Sequence, residues 1–346
     1  MKGEAVANVD PSSLKTTGWS RFLTVGALVV VGLLLLDFSE GVTYAIVVSA
    51  GMLLAALLLR VFRRLPALVW WRPDTRDLVA VVVLYVAVVA AVRLAFVWFT
   101  TESMVGLFIS YAVVGLLLLG VAGPVVYNVR LRHWPLRSLG VGIHQWRPTI
   151  ALGLVFAAVQ FSMTLWGYDL PRPVDWVPLL LMSLTVGVFD SVFFRGFIQN
   201  RLEASFGPVI GIGLAAALYG LYHFGYGMGS EEIVFLAGLG VVYAVAFRAT
   251  RNVLILWPLL TPLGSVFNNL EAGDIVLPWA SMAGFGQVLI AMVVVLWLGH
   301  RYWNRHAHVV AGEGSEGWSS QPARSQDHRG SEPATLMNVM SRKSDL

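Results

Sequence analysis

The chain has 346 residues, of which 57% are hydrophobic and 13% are charged, and its mean hydropathy is +0.71. A single water-soluble core cannot hide that much apolar surface, so the composition excludes a soluble globular enzyme. It also excludes disorder of the whole chain, which requires low hydrophobicity and high charge. The sequence contains no cysteine, which rules out disulfides and thiolate chemistry. These numbers predict a protein that crosses a membrane several times.

Ten apolar runs approach the length of about 20 residues that a helix needs to cross a bilayer. They lie at residues 22–36, 41–59, 78–99, 104–126, 149–166, 177–194, 208–223, 233–247, 252–267 and 278–298. The first run could also be the apolar region of a signal peptide, but residues 37–40 show no small-residue cleavage pattern. We therefore interpret it as an uncleaved helix. The prediction is an all-α, polytopic bundle of about ten transmembrane helices.

The 24 basic residues and the formal charge of +4 are distributed unevenly over the connections between these runs. Basic residues cluster in alternate connections, as at 60–64, 130–137, 248–251 and 301–305, whereas the other connections are mainly acidic. Because cytoplasmic loops carry the excess of Lys and Arg, we predict a multi-pass plasma membrane protein with both termini in the cytoplasm. Membrane topology accounts for the basic balance, so no nucleic-acid partner is expected.

Composition divides the chain into four predicted parts. Residues 1–21 form a cytoplasmic N-terminus, 22–148 a first group of membrane helices, 149–299 a second group, and 300–346 a polar tail predicted to be disordered. The basic, turn-rich segment 127–147 is interpreted as a cytoplasmic hinge between the two groups of helices. Almost every polar residue at membrane depth falls in 149–299, so we expect the function to reside there.

Three polar residues inside the apolar runs are candidates for function. Asp190, His223 and Asn268 each cost several kcal/mol in lipid unless they have a partner or face water. A structural role is the alternative for each: Asp190 could pair with Arg195, although a spacing of five is poor geometry on an α-helix. His223 could cap its helix, and Asn268 or Asn269 could do the same before an outer loop. The simplest topology places Asp190 in mid-membrane and His223 nearer the outer surface.

A family resemblance is carried by the segment around these residues. Residues 190–196, Asp-Ser-Val-Phe-Phe-Arg-Gly, resemble the Glu-Glu-x-x-Phe-Arg-Gly signature of the CPBP intramembrane proteases, which include the type II CAAX prenyl endopeptidases. Tyr219-x-x-x-His223 is similar to the second motif of that family, Phe-x-x-x-His. Residues 238–269 resemble its glycine-rich helix and the approach to its third motif, His-x-x-x-Asn. The resemblance covers residues 176–270 and implies a CAAX-protease-like core.

The departures from the family pattern bear on the chemistry. Asp190 replaces the first Glu, Ser191 replaces the second, and Gly264 stands where a third-motif histidine would precede Asn268. The resemblance implies a carboxylate that activates water, with His and Asn stabilising the oxyanion, or alternatively His and Glu residues that hold a metal. A tight zinc site needs three protein ligands and an open position. It is poorly supported by this sequence, so no cofactor is expected.

The resemblance implies a role for each site residue. Asp190 would be the general base, His223 the oxyanion partner and Asn268 a supporting donor. The supporting residues would be Ser191, Arg195 and Tyr219. The implied activity is endoproteolysis of a membrane-proximal peptide or membrane-protein substrate within the lipid bilayer, weak or lost because the motifs are degenerate.

Two other classes of function stay open, as does the oligomeric state. The first is a non-catalytic scaffold that binds a peptide without cutting it. The second is a small-solute transporter, against which the lack of repeated broken helices in the sequence counts.

Overall fold

The computed structural model describes residues 41–59, 74–98, 104–142, 145–166, 176–255 and 279–316. The regular secondary structure in these ranges is entirely helical, which confirms the all-α prediction. The chain divides into a unit of residues 1–304 and a unit of residues 305–346. Almost all of the described residues belong to the first unit.

The first four helices precede the segment of family resemblance. Helix α1 spans Val42–Leu59 and α2 spans Thr75–Trp98. Helix α3 consists of four consecutive segments, of which the second and fourth are π-helical: Met104–Phe108, Ile109–Ala122, Gly123–Val126 and Tyr127–Leu131. A short 3₁₀ turn, Leu136–Leu139, leads towards α4, which spans Trp146–Leu165.

The other four helices include the segment of family resemblance. Helix α5 begins with Trp176–Asp190, continues as the π-helical segment Ser191–Gln199 and ends with Asn200–Phe206. Helix α6 spans Pro208–Tyr222 and is followed directly by the 3₁₀ turn His223–Tyr226. Helix α7 spans Ser230–Thr250, a 3₁₀ turn follows at Val253–Ile255, and α8 spans Trp279–Glu316.

Six helices among the described residues are long and apolar enough to cross a membrane. Their candidate spans are Thr75–Val97, Val105–Leu131, Leu180–Phe206, Pro208–Tyr226, Ser230–Thr250 and Ala283–His306. Helices α1 and α4 are also apolar but shorter. The predicted number of about ten spans is therefore not confirmed. The predicted run at 22–36 and most of the run at 252–267 lie outside the described residues.

Helix α8 continues past residue 300, where we predicted the polar tail to begin. It ends at Glu316. The remainder of the predicted tail, residues 317–346, lies outside the described residues.

Helix α5 is the central helix of the first unit. Its side chains Phe189, Phe193, Phe194 and Phe197 are all fully buried, and the rings of Phe189 and Phe193 stack with centroids 5.4 Å apart. Helices α2, α3, α6 and α8 pack around it. A helix that is apolar on all sides is typical of one enclosed by others. Polar groups on α5 therefore face protein rather than lipid.

Small residues bring α6 and α7 close together. Ala216 and Gly220 of α6 are buried against α7, and a Cβ on Gly240 would lie 3.2 Å from the Cα of Ala216. Small residues at such a crossing let two backbones approach closely in a membrane. Gly213 and Ala217, two further small residues of α6, are exposed. The close contact holds the end of α6, and with it His223, in a fixed position.

A second layer of packing involves helices α1, α4 and α7. Val48 of α1, Phe156 of α4 and Val242 of α7 are buried in one apolar cluster. The segment predicted as a hinge also contributes to packing, since Leu136 and Leu139 are buried in the larger cluster around α5. The first helices and the segment of family resemblance thus share their apolar interior.

Candidate functional site

Asp190 is the last residue of the first segment of α5, and only 9% of it is exposed. Its carboxylate interacts electrostatically with Tyr111 of α3 and with Tyr219 and Tyr222 of α6. The Oδ1 atom is buried and accepts no hydrogen bond from the described residues. A buried polar atom without a partner is costly and uncommon in folded proteins. This carboxylate is therefore a candidate for chemistry rather than for structural pairing.

The π-helical segment that follows Asp190 changes where Arg195 lies. In a π-helix hydrogen bonds join residues five apart, so residues five apart lie close to one another along the helix. The poor spacing expected on an α-helix is thereby improved, and the two charges interact electrostatically. Even so, Nη1 and Nη2 of Arg195 have no hydrogen-bond partner among the described residues. The guanidinium instead lies over the Tyr219 ring, 5.1 Å from its centroid.

His223 is the first residue of the 3₁₀ turn that follows α6, and it is half-buried. Its Nδ1 lies 2.9 Å from the backbone carbonyl oxygen of Tyr219. Because a carbonyl oxygen only accepts, Nδ1 carries the hydrogen, and Nε2 of the neutral ring is then an acceptor. The imidazole packs edge-on against Tyr219 and Tyr222, with ring centroids 5.0 Å and 5.1 Å away.

Asp190 and His223 share Tyr222 as a neighbour. Phe189 and Tyr222, which precede them in the chain, have ring centroids 5.7 Å apart. Phe194, one turn after Asp190, packs against the same Tyr222 ring at 5.2 Å. The simplest topology had separated the two candidates along the membrane normal. The contact between α5 and α6 places both beside Tyr222.

Three tyrosine hydroxyls form a chain next to Asp190. The hydroxyls of Tyr111 and Tyr226 are 2.9 Å apart, and Tyr226 also hydrogen-bonds the hydroxyl of Tyr222. None of the three stood out in the sequence, because tyrosines in apolar runs are typical of ordinary packing. Tyr111 in particular belongs to α3, far from the segment of family resemblance, and only the packing of α3 against α5 and α6 brings it here.

The other predicted site residues have different positions. Ser191 donates its hydroxyl hydrogen to the carbonyl oxygen of Gly187 at 2.6 Å, a bond that many helical serines make to their own backbone. Asn268 lies outside the described residues. The geometry of the site is thus described for Asp190, Arg195 and the residues of α6.

The described residues do not form a metal site. They contain no group of three or more His, Asp or Glu residues that could hold an ion. Asp190 and His223 supply two donors, whereas a tight zinc site needs three protein ligands and an open position. The metal-dependent scheme of the family therefore does not fit the described part of the chain.

A comparison with protein families identifies the segment that carries this site. Residues 172–260 match the family described as type II CAAX prenyl endopeptidase Rce1-like. The family resemblance seen in the sequence is confirmed. Asp190, Arg195, Tyr219 and His223 all lie inside the matched segment. No curated protein and no solved structure gives a significant match to the chain.

The Rce1-like segment holds a second buried group of charges, at the end of α5. Glu203 accepts a hydrogen bond from Nη2 of Arg251 at 2.6 Å and forms an ion pair with Arg248. Burial lowers the pKa of the Arg251 guanidinium, and the charge of Glu203 acts in the opposite direction. Nη1 of Arg251 also donates to Oδ1 of Asn200 at 2.9 Å.

A second set of charges joins α5 to α2 and α3 through Arg201. Its Nη2 donates to Oδ1 of Asn128 at 2.5 Å, and its Nε lies 3.6 Å from Oδ1 of Asp77. Asp77 also accepts a hydrogen bond from Arg132 at 3.0 Å. We call these two sets together the anchor cluster: Asp77, Arg132, Arg201, Glu203, Arg248 and Arg251. In the sequence, the α5 part of this cluster is visible as the polar run at residues 199–203, for which we made no prediction.

Proposed function

We propose that this protein is an intramembrane endopeptidase of the type II CAAX prenyl endopeptidase kind, cleaving peptides at or near the membrane. One observation carries the proposal: a buried carboxylate, Asp190, keeps an oxygen without a hydrogen-bond partner among the described residues of the Rce1-like segment. Buried ionisable residues within a membrane bundle are most often functional. The six helices long enough to span a bilayer support a site within the membrane.

In the proposed reaction Asp190 takes a proton from a water molecule, whose oxygen then attacks the carbonyl carbon of the peptide bond. The carbonyl oxygen becomes an anion, which His223 and Asn268 would stabilise. When the intermediate collapses, the C–N bond breaks and Asp190 returns the proton to the leaving nitrogen. The burial of Asp190 in an aromatic surrounding supports this role, because it excludes bulk water from the reacting groups.

One observation favours a second candidate, a scaffold that binds the peptide without cutting it. Ser191 stands where the family has its second Glu, and its hydroxyl is engaged with the carbonyl of Gly187. The site therefore has one carboxylate in place of two. A scaffold would bind the same membrane-proximal peptides through the same residues, with no turnover.

Cleavage of a library of membrane peptides by the full chain in liposomes tests the proposal. Three proteins are compared: the wild type, Asp190→Ala and Glu231→Gln, an exposed carboxylate of α7 that serves as the matched control. We expect cleavage by the wild type and by Glu231→Gln, and none above background by Asp190→Ala. Equal, background-level turnover of all three proteins would contradict the proposed endopeptidase activity. Peptide binding without any turnover would establish the scaffold.

We also propose that the end of the bundle with the anchor cluster faces the cytoplasm of the plasma membrane. The contacts of Arg132 with Asp77 and of Arg248 with Glu203 bring basic connections together at that end, as the positive-inside bias requires. Because the chain lacks cysteine, single cysteines report their side of the membrane directly. In intact cells an impermeant maleimide should label Ser230→Cys and spare Arg137→Cys. The reverse pattern would invert the topology.

A further inference from the structure

The Asp190 site lacks a group that the proposed chemistry needs. An oxyanion is stabilised by hydrogen-bond donors aimed at the place where its charge develops. The third-motif histidine of the family is absent, and Gly264 stands in its place. His223 uses Nδ1 to donate to the backbone of Tyr219, so its neutral ring offers an acceptor at Nε2. Besides Asn268, a donor that needs no added proton has to come from elsewhere in the bundle.

Tyr222 has the position that such a donor requires. It is 1% exposed, and its ring packs against Phe189 and Phe194, which flank Asp190 along α5. The ring also packs against His223 at 5.1 Å and Tyr226 at 5.3 Å. Its hydroxyl interacts electrostatically with the Asp190 carboxylate. Tyr222 therefore lies where the two helices that carry the candidate base and the candidate histidine meet.

The hydroxyl chain leaves one proton available for a ligand. Tyr111, Tyr226 and Tyr222 each carry one hydroxyl proton, and their two mutual hydrogen bonds use two of the three. When Tyr111 donates to Tyr226 and Tyr226 donates to Tyr222, the hydroxyl proton left for a ligand is that of Tyr222. Hydrogen bonds in such a chain polarise one another, which strengthens the last donor.

We infer that Tyr222 donates a hydrogen bond to the oxyanion formed at this site, in the role left by the missing third-motif histidine. The inference rests on the proposed function and adds a catalytic residue to it. The water oxygen bonds to the carbonyl carbon, its proton goes to Asp190, and the carbonyl π electrons become the charge that Tyr222 stabilises. The hydroxyl of Tyr222 keeps its proton throughout. Collapse of the intermediate restores the carbonyl, and Asp190 protonates the leaving nitrogen.

Tyr226 and Tyr111 act as positioning residues. Tyr226 bonds both of the other hydroxyls, and Tyr111 fixes Tyr226 from α3, outside the Rce1-like segment. The ring of Tyr226 is further held by Phe96 of α2, with centroids 4.9 Å apart. The helices that precede the matched segment therefore contribute to the site, and substitutions on α3 should change turnover.

The test compares tyrosine-to-phenylalanine variants of the full chain in liposomes. Tyr222→Phe, Tyr226→Phe and Tyr111→Phe each lose one hydroxyl of the chain. Tyr85→Phe is the matched control, because its hydroxyl donates to the carbonyl oxygen of Leu218 on the same helix α6 at 2.9 Å, away from the chain. Two sets of measurements are made. The first is kcat and KM for a cleaved peptide. The second is Kd for a phosphinic peptide, a tetrahedral anionic mimic, against Kd for the planar peptide.

We expect Tyr222→Phe to lower kcat by about 100-fold, with an unchanged KM, as for the loss of one oxyanion donor. Tyr226→Phe and Tyr111→Phe should lower kcat by about tenfold, the effect of one weakened hydrogen bond. The wild type should bind the phosphinic peptide more tightly than the planar one, and Tyr222→Phe should lose that preference. Tyr85→Phe should match the wild type in every measurement. A purely structural role would not produce the split between kcat and KM or between the two ligands.

The possible results separate the inference from the proposed function. If the wild type cleaves and Tyr222→Phe is as active as Tyr85→Phe, the inference is wrong and the function stands. If the wild type does not cleave, the proposed function is wrong, and binding of the phosphinic and planar peptides then tests whether Tyr222 is a donor. Loss of the preference for the phosphinic peptide in Tyr222→Phe would then still support the donor. No preference in the wild type, or the same preference in both proteins, would overturn it.

Discussion

Helix α5 carries two buried charged regions that differ in how their charges are paired. In the anchor cluster Glu203 is bound by Arg248 and Arg251, and Asp77 lies against Arg132 and Arg201. In the Asp190 site, by contrast, buried charged groups of the described residues keep atoms without a hydrogen-bond partner.

There, Oδ1 of Asp190 and both Nη atoms of Arg195 have no hydrogen-bond partner. Burying a charge costs several kcal/mol, which only close pairing offsets. The paired region therefore holds helices together, whereas the unpaired one keeps groups available for a ligand.

The two regions also differ in where their partners come from. The anchor cluster joins residues of α2, α5 and α7, together with residues at the ends of α3 and α7, through direct ion pairs and hydrogen bonds. The Asp190 site is surrounded by aromatic rings, and its hydrogen-bonded groups are the tyrosines next to the carboxylate. Substitutions on the same helix should therefore separate stability from activity.

Removing the charge of the anchor carboxylate should have the largest effect on stability. Glu203→Gln leaves two arginines without their common partner, which typically costs about 3–5 kcal/mol for a buried pair. We expect a large loss of monodisperse protein after mild heating, measured by fluorescence-detected gel filtration in detergent. Asp190→Asn is the matched substitution, and it should not lower the melting temperature. Equal destabilisation by the two variants would show that Asp190 stabilises the fold as much as Glu203 does.

The two arginines of α5 provide a second contrast. Arg201→Met loses hydrogen bonds to Asn128 and to the carbonyl of Phe197, which should cost about 1–3 kcal/mol. Arg195→Met loses the contact with the Tyr219 ring and the attraction to Asp190 but no hydrogen bond of Nη1 or Nη2, so we expect the smaller loss of stability. Melting temperatures of the two variants in the same detergent decide between these outcomes. A lower value for Arg195→Met than for Arg201→Met would mean that Arg195 is the structural residue.

Gly196, between the two regions, should show a smaller effect. A Cβ at this position would collide with the backbone carbonyl of Leu139, so Gly196→Ala forces the packed segments apart at a cost of about 1–2 kcal/mol. Gly213→Ala is the control, because a Cβ there meets nothing within 4 Å. Alanine favours a helix over glycine, so the control should be neutral or stabilising. Melting temperatures that do not differ between the two variants would show that the close contact with Leu139 does not determine the result.

Much of the fold could be predicted from the sequence, because long apolar runs and motif spacing are local signals. They gave the helices, the family resemblance and the pair Asp190 and His223. Other features depend on contacts between helices. The π-helical segment after Asp190 has no signature in a single sequence, and Tyr111 looks like any aromatic residue of a membrane helix. The buried ion pairs of Glu203 could not be predicted, because polar residues are also expected where any membrane helix reaches the surface.

The most direct test of the central claim is the initial cleavage rate, per folded molecule, of wild type and Asp190→Asn in the same liposomes. The substitution keeps the size of the side chain and removes its ability to take a proton from water. The expected result is a rate at background for Asp190→Asn, with a melting temperature no lower than that of the wild type. Cleavage by Asp190→Asn at the wild-type rate would contradict the assignment of Asp190 as the functional group of this site.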